Sequence, residues 1–86
     1  MAKEKYEIRQ IDALPDGESG WVWNNSYNIS TLTTSGDPRR AFTRHLARKH
    51  NVKFKRGSVR IEYDGDIYEI QNRKTGEPLF AAIPLE

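Results

Sequence analysis

Two short runs of alternating apolar and polar residues flank the dipeptide Asp64-Gly65. Alternation with a period of two is typical of a half-buried strand, and Asp-Gly is a favoured pair for the two-residue turn of a β-hairpin. With these two residues at the centre of the turn, Ile61 pairs with Tyr68 and Val59 pairs with Ile70. All four apolar side chains then share one face. The sequence therefore predicts an antiparallel sheet with one buried face.

A second turn, through residues 73–76, returns the chain for another strand. This turn predicts that Leu79 lies opposite Ile70 and that Ala81 lies on the same apolar face. Pro78 has no amide hydrogen to donate to a neighbouring strand. We therefore expect the last strand to lie at an edge of the sheet.

The N-terminal third of the chain predicts a further pair of strands. Tyr6 and Ile8 alternate with charged residues, and residues 15–20 are dense in turn-forming types. The strand that follows carries large apolar side chains on one face, namely Trp21, Trp23, Tyr27 and Ile29. In a chain this small we expect both tryptophans to be core residues and not a platform for stacked bases.

One helix separates these strands from the C-terminal ones. Residues 33–36 are a polar break, and Asp37-Pro38 then begins a helix, because Asp caps free amides and Pro suits the first helical position. The helix should run to about His50 or Asn51. Its apolar side contains Phe42 and Leu46, and a stripe of arginines lies opposite.

The predicted order of elements is ββαβββ. An 86-residue chain holds one hydrophobic core, so residues 1–86 are predicted to form a single small α+β domain, an antiparallel sheet packed on one amphipathic helix. We expect residues 1–4 and 85–86 to be disordered. The last two residues, Leu85-Glu86, are typical of a cloning site and are left out of the fold prediction.

Charge is distributed unevenly along the chain. Between Pro38 and Arg60 there are nine Lys and Arg residues and no Asp or Glu, against a net charge of +2 for the whole chain. Such clustering is typical of a protein that binds a polyanion. We predict contacts with the phosphate backbone of DNA or RNA through Arg40, Arg44, Arg48, Lys53, Lys55 and Arg56, with Arg39, Lys49 and Arg60 as auxiliaries.

Other functions fit the same residues. An acidic protein would be attracted to the same basic face, and a protein-interaction or self-associating regulatory module could use that face or an exposed sheet edge. A merely solvated helix face is the remaining reading. Its charge would be offset by the acidic residues that follow, Glu62, Asp64, Asp66 and Glu69.

Several classes of chemistry lack their residues here. The chain has no cysteine, and His45 and His50 are five residues apart, so they should not share a helix face and we expect no metal site. Phosphate-binding loops, nucleophile elbows and nucleotide fingerprints are absent from the sequence. We therefore expect no enzyme, no cofactor and no small-molecule substrate. Without a signal peptide or an apolar span, a cytoplasmic location with no membrane partner is expected.

Overall fold

The computed structural model describes residues 3–12 and 25–85. Five strands and one helix follow the predicted order and form a small α+β domain. They are β1 (Glu4–Ile11), β2 (Ser26–Thr34), α1 (Pro38–His50), β3 (Val59–Asp64), β4 (Ile67–Asn72) and β5 (Pro78–Leu85). The fold class predicted from the sequence is confirmed.

The strands form one antiparallel sheet in the order β2-β1-β5-β4-β3. The predicted edge position of β5 is wrong, because β5 lies between β1 and β4, and the edges are β2 and β3. Pro78 is tolerated there as the first residue of its strand. Glu4 and Leu85, which we expected to be disordered, belong to β1 and β5.

The hairpin between β3 and β4 forms, but in a different register from the predicted one. Its turn is centred on Gly65 and Asp66, so Ile61 pairs with Ile70 and not with Tyr68. Gly65 has a φ of 64° and Asp66 has no positive φ, which is the combination of a type II′ turn. A shift of two residues keeps each side chain on its predicted face. The predicted apolar face of the hairpin is therefore present, although the predicted register is wrong.

The pairing of β4 with β5 is displaced by one residue, and here the face changes. Ile70 lies opposite Phe80, and Tyr68 lies opposite Ala82. A register irregularity beside Ile70 accounts for the shift. Phe80 and Ala82 thus take the core positions that the sequence assigned to their preceding neighbours in β5.

The core lies between the sheet and α1. Phe42 and Leu46 of the helix are fully buried and form a cluster with buried side chains from every strand except the edge strand β3. Those strand residues are Tyr6, Ile8, Leu32, Ile70, Phe80 and Ala82. Partly buried Val59 and Ile61 of β3 pack against this cluster.

Both ends of α1 are capped by the residues that flank it. The Asp37 carboxylate accepts a hydrogen bond from the Arg39 amide at 3.0 Å, and Pro38 occupies the first turn. At the other end Asn51 adopts a left-handed conformation with φ 56°, and its amide donates to the Leu46 carbonyl. The predicted helix bounds are confirmed because these signals are local.

Strand β2 lies further along the chain than predicted. Thr33 and Thr34 belong to it, so the predicted polar break is shorter and begins at Ser35. Tyr27 is 46% exposed instead of buried. The predictions for residues 15–20, Trp21 and Trp23 fall outside the described residues. Within the described ranges, no helix has the length and apolar character needed to cross a membrane.

Candidate nucleic-acid interface

Three arginines form a row on the outer side of α1. Arg40, Arg44 and Arg48 are exposed, whereas Phe42 and Leu46 point into the core. Residues four apart lie about 6 Å from one another along a helix axis. We call these three residues the arginine ridge. Its spacing is comparable with that of phosphates along one nucleic-acid strand.

The ridge differs from other cations in its electrostatic environment. Arg39 is paired with Asp37 at 2.9 Å, and Arg60 lies 3.4 Å from Glu62. No member of the ridge forms a salt bridge with an acidic residue in the described ranges. Pairing with acidic residues therefore offsets the charge of two predicted auxiliaries, Arg39 and Arg60, and leaves the charge of the ridge unpaired in the described ranges.

A shallow groove runs along the side of α1 that faces β2. Its volume is about 470 Å³, and its lining includes the whole ridge, Lys49, His45, one carboxylate from Asp37 and the apolar side chains of Leu32 and Ala41. Lys49, a predicted auxiliary, is exposed here. The groove thus brings four cationic side chains to the border of one concave surface.

The remaining predicted contacts lie elsewhere. Lys53, Lys55 and Arg56 are exposed and line a second groove, of about 360 Å³, together with Thr43 and Ala47 of the helix. On a helical wheel these two helix residues lie on the other side of the ridge from His45. The six residues predicted as one surface therefore divide into two groups, the ridge on α1 and the three cations of the segment that follows it.

Two histidines meet a single serine where α1 crosses β2. The Nε2 atoms of His45 and His50 lie 2.6 Å and 2.8 Å from Ser30 Oγ, and the ring centroids are 5.6 Å apart. The two histidines, which were expected not to share a helix face, approach each other because both side chains reach Ser30 of β2. Ser30 had no signal in the sequence beyond its place in an alternating strand.

Burial and neighbouring charge favour the neutral form of His45 in this cluster. The Ser30 hydroxyl has one hydrogen, so it donates to one ring and accepts from the other. Burial lowers the pKa of His45, and the neighbouring His50 and Lys49 lower it further. The cluster therefore joins the helix to the sheet without adding a carboxylate to the basic face.

The same cluster offers a serine hydroxyl beside an imidazole, the first two parts of a nucleophilic triad. Across the described part of the chain, neither histidine has a carboxylate partner that would orient its ring. Nor does any group of three His, Asp or Glu residues there have the arrangement of a metal site. Hydrogen bonds of Ser30 with His45 and His50 thus link β2 to α1.

A third concave surface lies at the N-terminal end of α1. It is lined by Tyr6, Tyr63 and Tyr68, by the carboxylates Glu4, Asp37 and Asp66, and by Arg39. We call it the tyrosine groove. The sequence predicted that Tyr68 lies on the apolar face of the hairpin, but it did not indicate that the helix start would complete a groove with Tyr68 and Tyr63.

Comparison of the chain with protein-family models, with curated proteins and with solved structures found no match. Inference about function therefore depends on the charge and geometry of these surfaces.

Proposed function

We propose that this domain is a non-enzymatic module that binds DNA or RNA through the phosphate backbone. The observation that carries the proposal is the arginine ridge, three exposed guanidinium groups at regular spacing without a described acidic partner. A polyanion gains affinity from such groups because each neutralised phosphate releases counterions.

The surroundings of the ridge support a phosphate ligand. Lys49 borders the same groove and adds a fourth cation to it. The basic residues of the second groove, Lys53, Lys55 and Arg56, extend the positive field beyond the helix. A strand lying on the ridge would have cations on both sides.

The proposed contacts are with phosphates and not with base edges. Besides its cations, the groove beside the ridge has aliphatic and imidazole side chains and one carboxylate, from Asp37, but no Asn or Gln among its lining residues. Those amides are the side chains that read adenine in the major groove. We therefore expect little sequence preference, since phosphate contacts position a protein without reading bases.

The test is a titration of fluorescent 20-nucleotide single- and double-stranded DNA and RNA at about 50 mM salt, where electrostatic affinity is strong. The ridge variant replaces Arg40, Arg44 and Arg48 by Gln, which keeps helix propensity and removes three charges. We expect its affinity to fall by at least about tenfold, since it loses three phosphate contacts.

A matched control removes the same charge elsewhere. Lys3, Lys5 and Lys74 are exposed and line neither groove beside the helix. Their replacement by Gln should change affinity less than about twofold. Absence of binding by the wild type, or equal losses in the two triple variants, would contradict the proposal.

An acidic protein remains the competing partner for this face. Polyglutamate of matched total charge serves as the probe. If it displaces the wild-type domain from RNA and DNA as efficiently as unlabelled nucleic acid does, the ridge is an acidic-protein site and the nucleic-acid proposal fails.

A further inference from the structure

The tyrosine groove has a composition opposite to that of the ridge. Three carboxylates line it, from Glu4, Asp37 and Asp66, against one cation, Arg39. Only Asp37 is engaged in a salt bridge, with Arg39; Glu4 and Asp66 have no cationic partner among the described residues. The groove therefore carries uncompensated negative charge next to aromatic rings.

The three tyrosines form a continuous aromatic surface. The rings of Tyr63 and Tyr68 lie 4.6 Å apart at 46°, and Tyr6 meets Tyr68 nearly edge-on at 6.1 Å. Tyr6 is buried, whereas Tyr63 is 50% exposed. The cluster is thus buried in the core at Tyr6 and exposed to solvent at Tyr63, in the β3–β4 hairpin.

The chain itself places a guanidinium group on this surface. Arg39 Cζ lies 5.6 Å from the centroid of the Tyr68 ring, within the range of a cation–π contact, while its NH1 group pairs with Asp37. An aromatic face with a carboxylate beside it is thereby shown to accommodate arginine. Tyr63 offers a second such face, and Asp66 lies in the adjacent turn.

Hydrogen bonding holds one of the carboxylates in position. The Tyr6 hydroxyl donates to Glu4 Oε2 at 3.0 Å. Burial, together with this contact, raises the pKa of Tyr6 to about 12, so the hydroxyl remains a donor at neutral pH. Glu4 is thus oriented at the groove wall as an acceptor.

From these contacts we propose that the tyrosine groove binds an arginine side chain of a basic peptide segment in a partner protein. The guanidinium group stacks on Tyr63 and pairs with Asp66 or Glu4, as Arg39 stacks on Tyr68 and pairs with Asp37. An arginine is complementary in charge to Glu4 and Asp66, the two carboxylates of this groove that have no cationic partner among the described residues. This proposal is independent of the nucleic-acid proposal.

The probe is a capped peptide of sequence Gly-Arg-Gly-Gly-Arg-Gly, compared with the same peptide carrying citrulline in place of arginine. Citrulline keeps the planar shape but has no charge. We expect the arginine peptide to shift the ¹⁵N–¹H signals of residues 63–68 in a saturable manner. The citrulline peptide should bind at least about fivefold more weakly, since the loss is comparable with one cation–π contact and one ion pair.

Two variants and one control localise the binding. Tyr63→Ala and Asp66→Asn should each weaken the arginine peptide by about threefold to tenfold. Tyr27→Ala is the matched control, because Tyr27 is similarly exposed, at 46%, and lies outside the tyrosine groove. Asp66→Asn changes an exposed turn residue, so it reports on binding even if Tyr63→Ala loosens the hairpin.

Three results would overturn the proposal. Equal binding of the citrulline peptide would show that the charge of arginine does not contribute to binding. An equal loss of affinity in Tyr27→Ala would show that the peptide does not bind in the tyrosine groove. Concentration-dependent self-association in sedimentation, abolished by Asp66→Asn and by the ridge variant, would make a second copy of this chain the occupant instead. None of these results depends on whether the domain binds nucleic acid.

Discussion

Arg39 and Arg40 are neighbours in the chain, yet they belong to two contrasting surfaces of the same helix. Arg39 lies over the Tyr68 ring and pairs with Asp37, in the tyrosine groove. Arg40 belongs to the ridge, faces solvent and has no described acidic partner. At the start of α1, Arg39 thus makes intramolecular contacts, whereas its neighbour Arg40 is available to a ligand.

The contrast shows that a count of basic residues does not locate a binding surface. Of the nine cations between Pro38 and Arg60, the two that have an acidic partner among the described residues are Arg39 and Arg60. These pairs weaken the long-range field of their own side chains, whereas the ridge keeps its field. A phosphate ligand is therefore attracted to the outer face of α1 more than to its N-terminal end.

The largest effect on both surfaces should come from the core beneath them. Leu46 is fully buried, and its replacement by Ala should lower the free energy of unfolding by about 2–5 kcal/mol. Urea denaturation followed by circular dichroism measures the loss. A change of less than about 1 kcal/mol would show that α1 is not held by this core.

A smaller effect should separate the groove from the ridge. Gly65 has a φ of 64°, so Gly65→Ala forces a side chain into the left-handed region at a cost of about 1–2 kcal/mol. The hairpin that carries Tyr63 and Asp66 should loosen, and binding of the arginine peptide should weaken. Nucleic-acid affinity should stay unchanged, and a parallel loss of both would contradict the separation.

The two neighbouring arginines permit a sharper comparison. Arg39→Gln removes the contact with Tyr68, which should cost about 0.5–1 kcal/mol of stability. Arg40→Gln should leave the melting temperature unchanged and weaken nucleic-acid binding, because the Arg40 side chain makes no hydrogen bond or ion pair with a described residue. Thermal melts and nucleic-acid titrations of both variants test this comparison. A loss of stability in Arg40→Gln together with a loss of nucleic-acid affinity in Arg39→Gln would contradict it.

The smallest effect concerns pH. Because the folded-state pKa of His45 is lowered by burial and by His50 and Lys49, the unfolded chain binds more protons than the folded one once the pH falls through about 6.5. Stability should therefore decrease between pH 7 and pH 5.5. His45→Gln should show a shallower decrease in urea titrations, and an unchanged pH dependence would remove His45 as its source.

Local signals explain which parts of this structure follow from the sequence. The helix bounds follow from Asp37, Pro38 and Asn51, whose capping depends only on adjacent residues. The hairpin register does not, because two neighbouring turns, centred on residues 64–65 or 65–66, both place Gly65 where a positive φ is tolerated. The central position of β5 depends on its pairing with the distant β1.

The candidate sites show the same division. The exposure of the ridge was predictable from helical spacing alone, because residues four apart share a face. The convergence of His45 and His50 on Ser30 required knowledge of where β2 passes the helix. The tyrosine groove likewise needs the start of α1, the β3–β4 hairpin and β1 to meet, which no local pattern encodes.

The salt dependence of nucleic-acid binding tests the ridge most directly. The logarithm of the association constant is measured against the logarithm of salt concentration, from about 50 to 200 mM, for the wild type, the ridge variant and the Lys3, Lys5, Lys74 control. Each lost phosphate contact makes the slope shallower by roughly one unit. We predict a slope about three units shallower for the ridge variant on double-stranded DNA and an unchanged slope for the control. Identical slopes for the ridge variant and the wild type would contradict the account.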